Sequence, residues 1–181
     1  MRKIIILSMI GLCTHCAVAG TDSAQVETNA PAMGTLDYLD WRYGFRDVRF
    51  GQTLSSMTNM DFIAENGGYQ FYKRQHDQVG LGKLELTYIS YGFYKGRLAR
   101  VECEARLPDV VDRVLDVLEA AYGPSEQKAA SPRTRSWEGR HTYVQFDRHE
   151  DRAVLTIGSK VIYAEKARDE QEAAKEDAKF L

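Results

Sequence analysis

A chain of 181 residues, 44% hydrophobic and 28% charged, suits one globular domain with a core of its own. Its formal net charge is −2 and no basic face is clustered, which argues against nucleic acid as a partner; Arg133, Arg135 and Arg140 surround a turn and need only water. Beyond Leu12 no apolar run is long enough to cross a bilayer as a helix.

The first segment reads as an export signal. Arg2 and Lys3 precede the apolar run Ile4 to Leu12, and Ala17-Val18-Ala19 supplies the small residues a signal peptidase accepts. The expectation is a signal peptide over residues 1–19, cleaved after Ala19. An uncleaved anchor is the alternative, but the run is short for a bilayer. A lipobox needs a small residue before the cysteine, and here Leu12 precedes Cys13 and His15 precedes Cys16. A soluble exported protein is therefore expected, not a lipid-anchored one. Cleavage leaves Cys103 as the last cysteine, so no internal disulfide can form and stability must come from the core. Removing Arg2 and Lys3 from 24 basic residues leaves 22 against 26 acidic, a mature charge of about −4.

Residues 20–34 are small and polar and read as a flexible linker. A single α+β domain is expected over 35–162. Leu36, Leu39 and Tyr43 line a short helix, and Phe45, Val48 and Phe50 begin a short strand ending at Gly51. Thr53 can cap one helical turn through Met57. Asn66-Gly67 is a hairpin turn signal, pairing Met60–Glu65 with Gly68–Arg74 and setting Phe62 opposite Phe71.

The main hairpin runs from Leu84 to Phe93 and from Leu98 to Arg106 around Lys95-Gly96, where glycine takes positive φ cheaply. The expected register pairs Phe93 with Leu98, Gly92 with Ala99, Ser90 with Val101 and Tyr88 with Cys103, with Glu85 opposite Arg106. It places Val101, Cys103 and Ala105 toward a helix and turns Ile89, Tyr91, Phe93, Leu98 and Arg100 away from it. A helix follows at once: Pro108 suits its first turn, Val111, Val114, Leu115, Leu118 and Tyr122 recur at helical spacing, and Gly123-Pro124 ends it. Strands are then expected at Trp137, at Arg140–Asp147 and at Ala153–Ile157, with a charged turn at Arg148–Arg152. The sum is an α+β fold, a curved antiparallel sheet built from hairpins and packed by one central amphipathic helix. A charged helix over 163–181, thin in apolar residues, closes the chain, either solvated or serving as a docking arm.

No catalytic constellation is legible. The mature histidines His76, His141 and His149 lack metal-helix spacing, and His149-Glu150-Asp151 sits in a charged turn. There is no nucleophile elbow and no glycine-rich phosphate loop. Cys103 faces the core, where a thiol is chemically bland. No catalytic, cofactor or metal residue is therefore assigned, and no cofactor is expected. The candidate site is the aromatic hairpin face of Ile89, Tyr91, Phe93, Leu98 and Arg100, which would bind a partner if exposed; the alternative is that the C-terminal helix or the N-terminal segment covers it.

Tyr91-Gly92-Phe93-Tyr94-Lys95-Gly96-Arg97-Leu98, the helix end Tyr122-Gly123-Pro124 and the later Trp137 resemble a pattern recurrent in small uncharacterised exported bacterial proteins, over roughly Phe45 to Ile162. That resemblance implies a Gram-negative periplasmic setting and brings no known activity. Separately, Phe50-Gly51-Gln52-Thr53-Leu54 is similar to the start of BamE-type outer-membrane assembly lipoproteins. The chain departs from them in lacking a lipobox, in its length and in the helix after its hairpins. The function expected is a non-enzymatic binding module of the periplasm, with an envelope protein as partner. The alternatives are a small hydrolase or a small-ligand-binding protein, its site assembled from residues distant in sequence.

Overall fold

Alternating apolar residues make strands, and in the computed structural model eight of them join into one open antiparallel sheet. The described residues are 30–77, 79–81, 84–106, 108–127 and 131–180. The expected signal peptide and most of the expected linker lie outside them. In chain order the elements begin with α1 (Leu36–Arg42), β1 (Gly44–Phe45), β2 (Val48–Arg49), β3 (Met60–Asn66) and β4 (Tyr69–Arg74). Then come β5 (Gly80–Leu81), β6 (Leu84–Glu85), β7 (Tyr88–Tyr94), β8 (Arg97–Ala105) and α2 (Pro108–Tyr122). The chain ends in β9 (Glu126–Gln127), β10 (Thr134–Glu138), β11 (Thr142–Arg148), β12 (Ala153–Ser159) and α3 (Lys160–Asp177), with a 3₁₀ turn at Ala178–Phe180. The sheet order is β3-β4-β7-β8-β12-β11-β10-β9. The α+β class holds. Among the described residues no helix is long and apolar enough to cross a membrane, which leaves membrane-crossing strands aside.

One row of paired residues explains the core. Trp137 pairs with Val144, Val144 with Ile157, Ile157 with Val101, Val101 with Tyr91 and Tyr91 with Tyr72. Paired residues share a face, so this row crosses six strands on one side of the sheet. Helix α2 covers that side with Val110, Val111, Val114 and Leu118, all buried. Each such side chain contributes about 1.5–3 kcal/mol by leaving water. The end of α2 is pinned where the Trp137 Nε1–H donates to the Gly123 carbonyl at 2.8 Å. Helix α1 packs on α2, capped by Thr35, whose Oγ1 accepts from the Tyr38 N–H.

Two registers differ from expectation, the first by two residues at its turn and by one beyond its bulge, the second by one. The β3–β4 turn is Gly67-Gly68, and Phe62 pairs with Tyr72, with a bulge between Phe62 and Ala64. In the main hairpin Lys95 and Gly96 do take positive φ (49° and 72°), and Phe93 does pair with Leu98. Beyond that pair Gly92 meets Arg100, because Ala99 bulges out of β8. The slip inverts the expected facing of β7, while Val101, Cys103 and Ala105 keep theirs. The strand expected from Leu84 is also broken: Leu84–Glu85 pair with β5, and Arg106 joins Glu104 at 2.6 Å instead of Glu85.

Helix α3 lies on the opposite face, over a second cluster of Tyr69, Phe71, Tyr94, Ala99 and Ile162. Ser159 caps it, its Oγ accepting from the Ile162 N–H at 3.3 Å. Glu165 pairs with Arg97 at 2.5 Å, and Asp169 with Lys95 at 2.6 Å and with the Tyr94 hydroxyl. Lys166, 8% exposed, sits over the Tyr69 ring and pairs with Glu170. The first half of α3 is docked, and residues 171–180 are exposed.

Candidate functional site

The five residues singled out from sequence do not form a surface. Ile89, Tyr91, Phe93 and Leu98 are 4%, 1%, 1% and 0% exposed and belong to the core beneath α2. The bulge at Ala99 is the cause: it moves Tyr91 from opposite Arg100 to opposite Val101, and Ile89 to opposite Cys103. Arg100 is left alone on the other face. Its guanidinium stacks over Tyr69 and Phe71, 4.7 and 4.9 Å from the ring centroids, and reaches Glu102 at 2.6 Å. Glycine at 92 makes the room, since a Cβ there would come within 2.9 Å of Arg100 Cγ. A glycine inside a strand is itself a bulge signal, and it was the clue available in the sequence.

Tyr91 carries a polar end. Its hydroxyl donates to Asp77 Oδ2 at 2.5 Å, and Arg46 Nη1 lies 3.4 Å from Asp77 Oδ1. Arg74 sits 5.2 Å above the Tyr91 ring and pairs with Asp47 at 2.9 Å. Burial, then the Asp77 carboxylate, push the Tyr91 hydroxyl far above the ordinary tyrosine range, so it stays a neutral donor. Burial likewise pushes the Cys103 thiol up to about 12, which keeps the sulfur protonated and inert. This cluster ties β7 to the turns after β1 and β4. A cavity of about 220 Å³ adjoins it, lined by Lys73, Arg74, His76, Thr87 and Tyr88 among others. Among the described residues no three His, Cys, Asp or Glu side chains converge as a metal-ligand set.

The open side of the sheet lies next to this cluster. Strand β3 is its edge, and no strand pairs with its outer side among the described residues. Phe62 and Ile63 stand there 58% and 42% exposed. Phe62 packs edge-on to Tyr72 at 5.6 Å, and Tyr72 edge-on to Phe93 at 5.4 Å, so a line of rings supports the edge from the core. The strand bears Asp61 and Glu65 and no basic residue, and Asp61 accepts from Gln75 Nε2 at 2.9 Å. The other edge, β9, is two residues long and carries Glu126 and Gln127. Neither a protein-family model, nor a curated protein, nor a solved structure matches the chain.

Two further grooves lie against the helices. One of about 450 Å³ lies between α3 and β11, with Tyr143, Gln145, Lys160 and Tyr163 along it. The other, of about 270 Å³, lies between α1 and α2.

Proposed function

We propose that the chain is an exported, non-enzymatic binding module that holds an envelope protein by strand addition at β3. The observation that carries this is the seven-residue open edge with Phe62 and Ile63 exposed, Phe62 being backed by the half-buried Tyr72 ring and through it by the buried Phe93. Unpaired N–H and C=O groups along such an edge supply affinity, and exposed apolar side chains supply specificity. The export-type N-terminus supports the setting. The rival reading, a small hydrolase, finds less support in the buried polar cluster, where hydroxyl and thiol are both held protonated.

The test compares the chain from Gly20 with its Phe62→Lys, Ile63→Lys double variant for what each retains from an envelope extract. Hydrogen exchange is then measured on the complex. A partner that protects the β3 amides and is released at least about tenfold more readily by the double variant supports the reading. Both positions are exposed, so the variant keeps its unfolding midpoint within a few degrees, about 0.5 kcal/mol per site. Equal retention by the variant, or protection elsewhere than β3, overturns it.

A further inference from the structure

The cleft between α1 and α2 has the chemistry of a ligand site distinct from the β3 edge. Its floor is the main core itself: Leu118, Leu155 and Ile157, each 2–3% exposed, line it from α2 and β12. Tyr38 and Tyr122 stand along it with ring centroids 6.5 Å apart. Arg42, in the last turn of α1, also lines it. The Arg42 Nη2 donates to the Arg46 carbonyl at 3.0 Å, and among the described residues no carboxylate pairs with this guanidinium. Arg46 lines the cleft as well and lies 3.4 Å from Asp77, so apolar walls with Arg42 as the guanidinium facing no carboxylate among the described residues match a molecule that is apolar along its length and anionic at one end.

We propose that this cleft binds a single-chain anionic amphiphile, its alkyl chain on Leu118, Leu155 and Ile157 and its carboxylate head on Arg42. Size restricts the ligand. At about 270 Å³ the cleft falls just under the roughly 300–1,000 Å³ of sites for drug-sized molecules, so it takes one chain and not a two-chain lipid. Val117, 40% exposed at the rim, is where such a chain would enter. A guanidinium forms two parallel hydrogen bonds with a carboxylate, and beside apolar walls these are stronger than in open water.

Calorimetry below the micellar range tests this on the chain from Gly20, with dodecanoate and dodecyltrimethylammonium as probes. The expected result is saturable binding of dodecanoate to one site and at least about tenfold weaker binding of the cation. Arg42→Gln weakens dodecanoate at least about tenfold, while Arg42→Lys restores part of the loss. Val117→Glu, a change at an exposed position that leaves folding intact, abolishes it. Equal binding of both probes, or an Arg42→Gln chain that binds as the parent does, overturns the role of the head group. Undiminished binding by Val117→Glu overturns the location, and no binding of dodecanoate to the parent overturns the proposal.

Discussion

Asp40 shows how much one side chain can organise. It sits in α1, yet its carboxylate accepts the backbone N–H groups of Arg140, His141 and Thr142 at 2.5, 2.8 and 2.9 Å. These three donors would otherwise be left open in the turn between β10 and β11, and the acceptor brings α1 to that turn. Partial burial alone would raise the Asp40 pKa; the three donors outweigh it and hold the group below its ordinary value of 3.8. The sign of the linkage follows. A pKa lower in the folded than in the unfolded chain means stability that is full above pH about 4 and is lost as pH falls through the folded value. Asp40→Asn is expected to lower the unfolding free energy at neutral pH by about 1–2 kcal/mol. The same change flattens the fall in midpoint between pH 5 and pH 2, measured by urea unfolding at each pH across roughly the window where aspartates titrate. An unaltered acid limb in the variant would assign the turn's stability elsewhere.

Helices divide the work by which face of the sheet they cover. Helix α2 has a full apolar stripe and would be expected to pack from its sequence alone. Helix α3 does not: Ile162 is its one buried apolar residue, with Lys166 buried beside it. It is held by Ile162, by the Lys166 contact with Tyr69, and by ion pairs to the β7–β8 turn through Glu165 and Asp169. Exposed pairs of this kind contribute about 0–1 kcal/mol each, so Ile162 carries most of the docking. Ile162→Ala is expected to cost about 2–5 kcal/mol, whereas a chain stopped after Gln171 should unfold within about 0.5 kcal/mol of the full length. Denaturant titration of the two distinguishes them. A large loss on truncation would show that the exposed end of α3 contributes to the fold.

At the scale of the whole molecule the sheet is one structure with two covered faces. The row from Trp137 to Tyr72 is continuous across six strands, so no seam separates the early hairpins from the late ones. A fully packed row of this sort unfolds cooperatively. Trp137, 1% exposed at one end of the row, makes that testable by fluorescence once Trp41, the other tryptophan, is replaced by Phe. Its transition should coincide with that of far-ultraviolet dichroism, and Ile157→Ala, at the middle of the row, should shift both by the same about 2–5 kcal/mol. Transitions that separate would mean the two halves of the sheet are independent units.

Local chemistry was readable along the chain itself. The turn at Lys95-Gly96, the limits of α2 from Pro108 to Gly123, and the strands at Trp137 and Ala153 follow from torsional preference and periodicity, which act over a few residues. The facing of β7 did not follow. A single unpaired residue, Ala99, moves every later pair by one, and a strand's side chains change face with each residue. Whether Tyr91 and Phe93 are surface or core is therefore decided by a bulge whose position depends on Arg100 fitting over Gly92 between Tyr69 and Phe71. The open edge at β3 and the cleft between α1 and α2 were equally out of reach. Both depend on which elements become neighbours, and that choice is made by long-range packing rather than by any local run of residues.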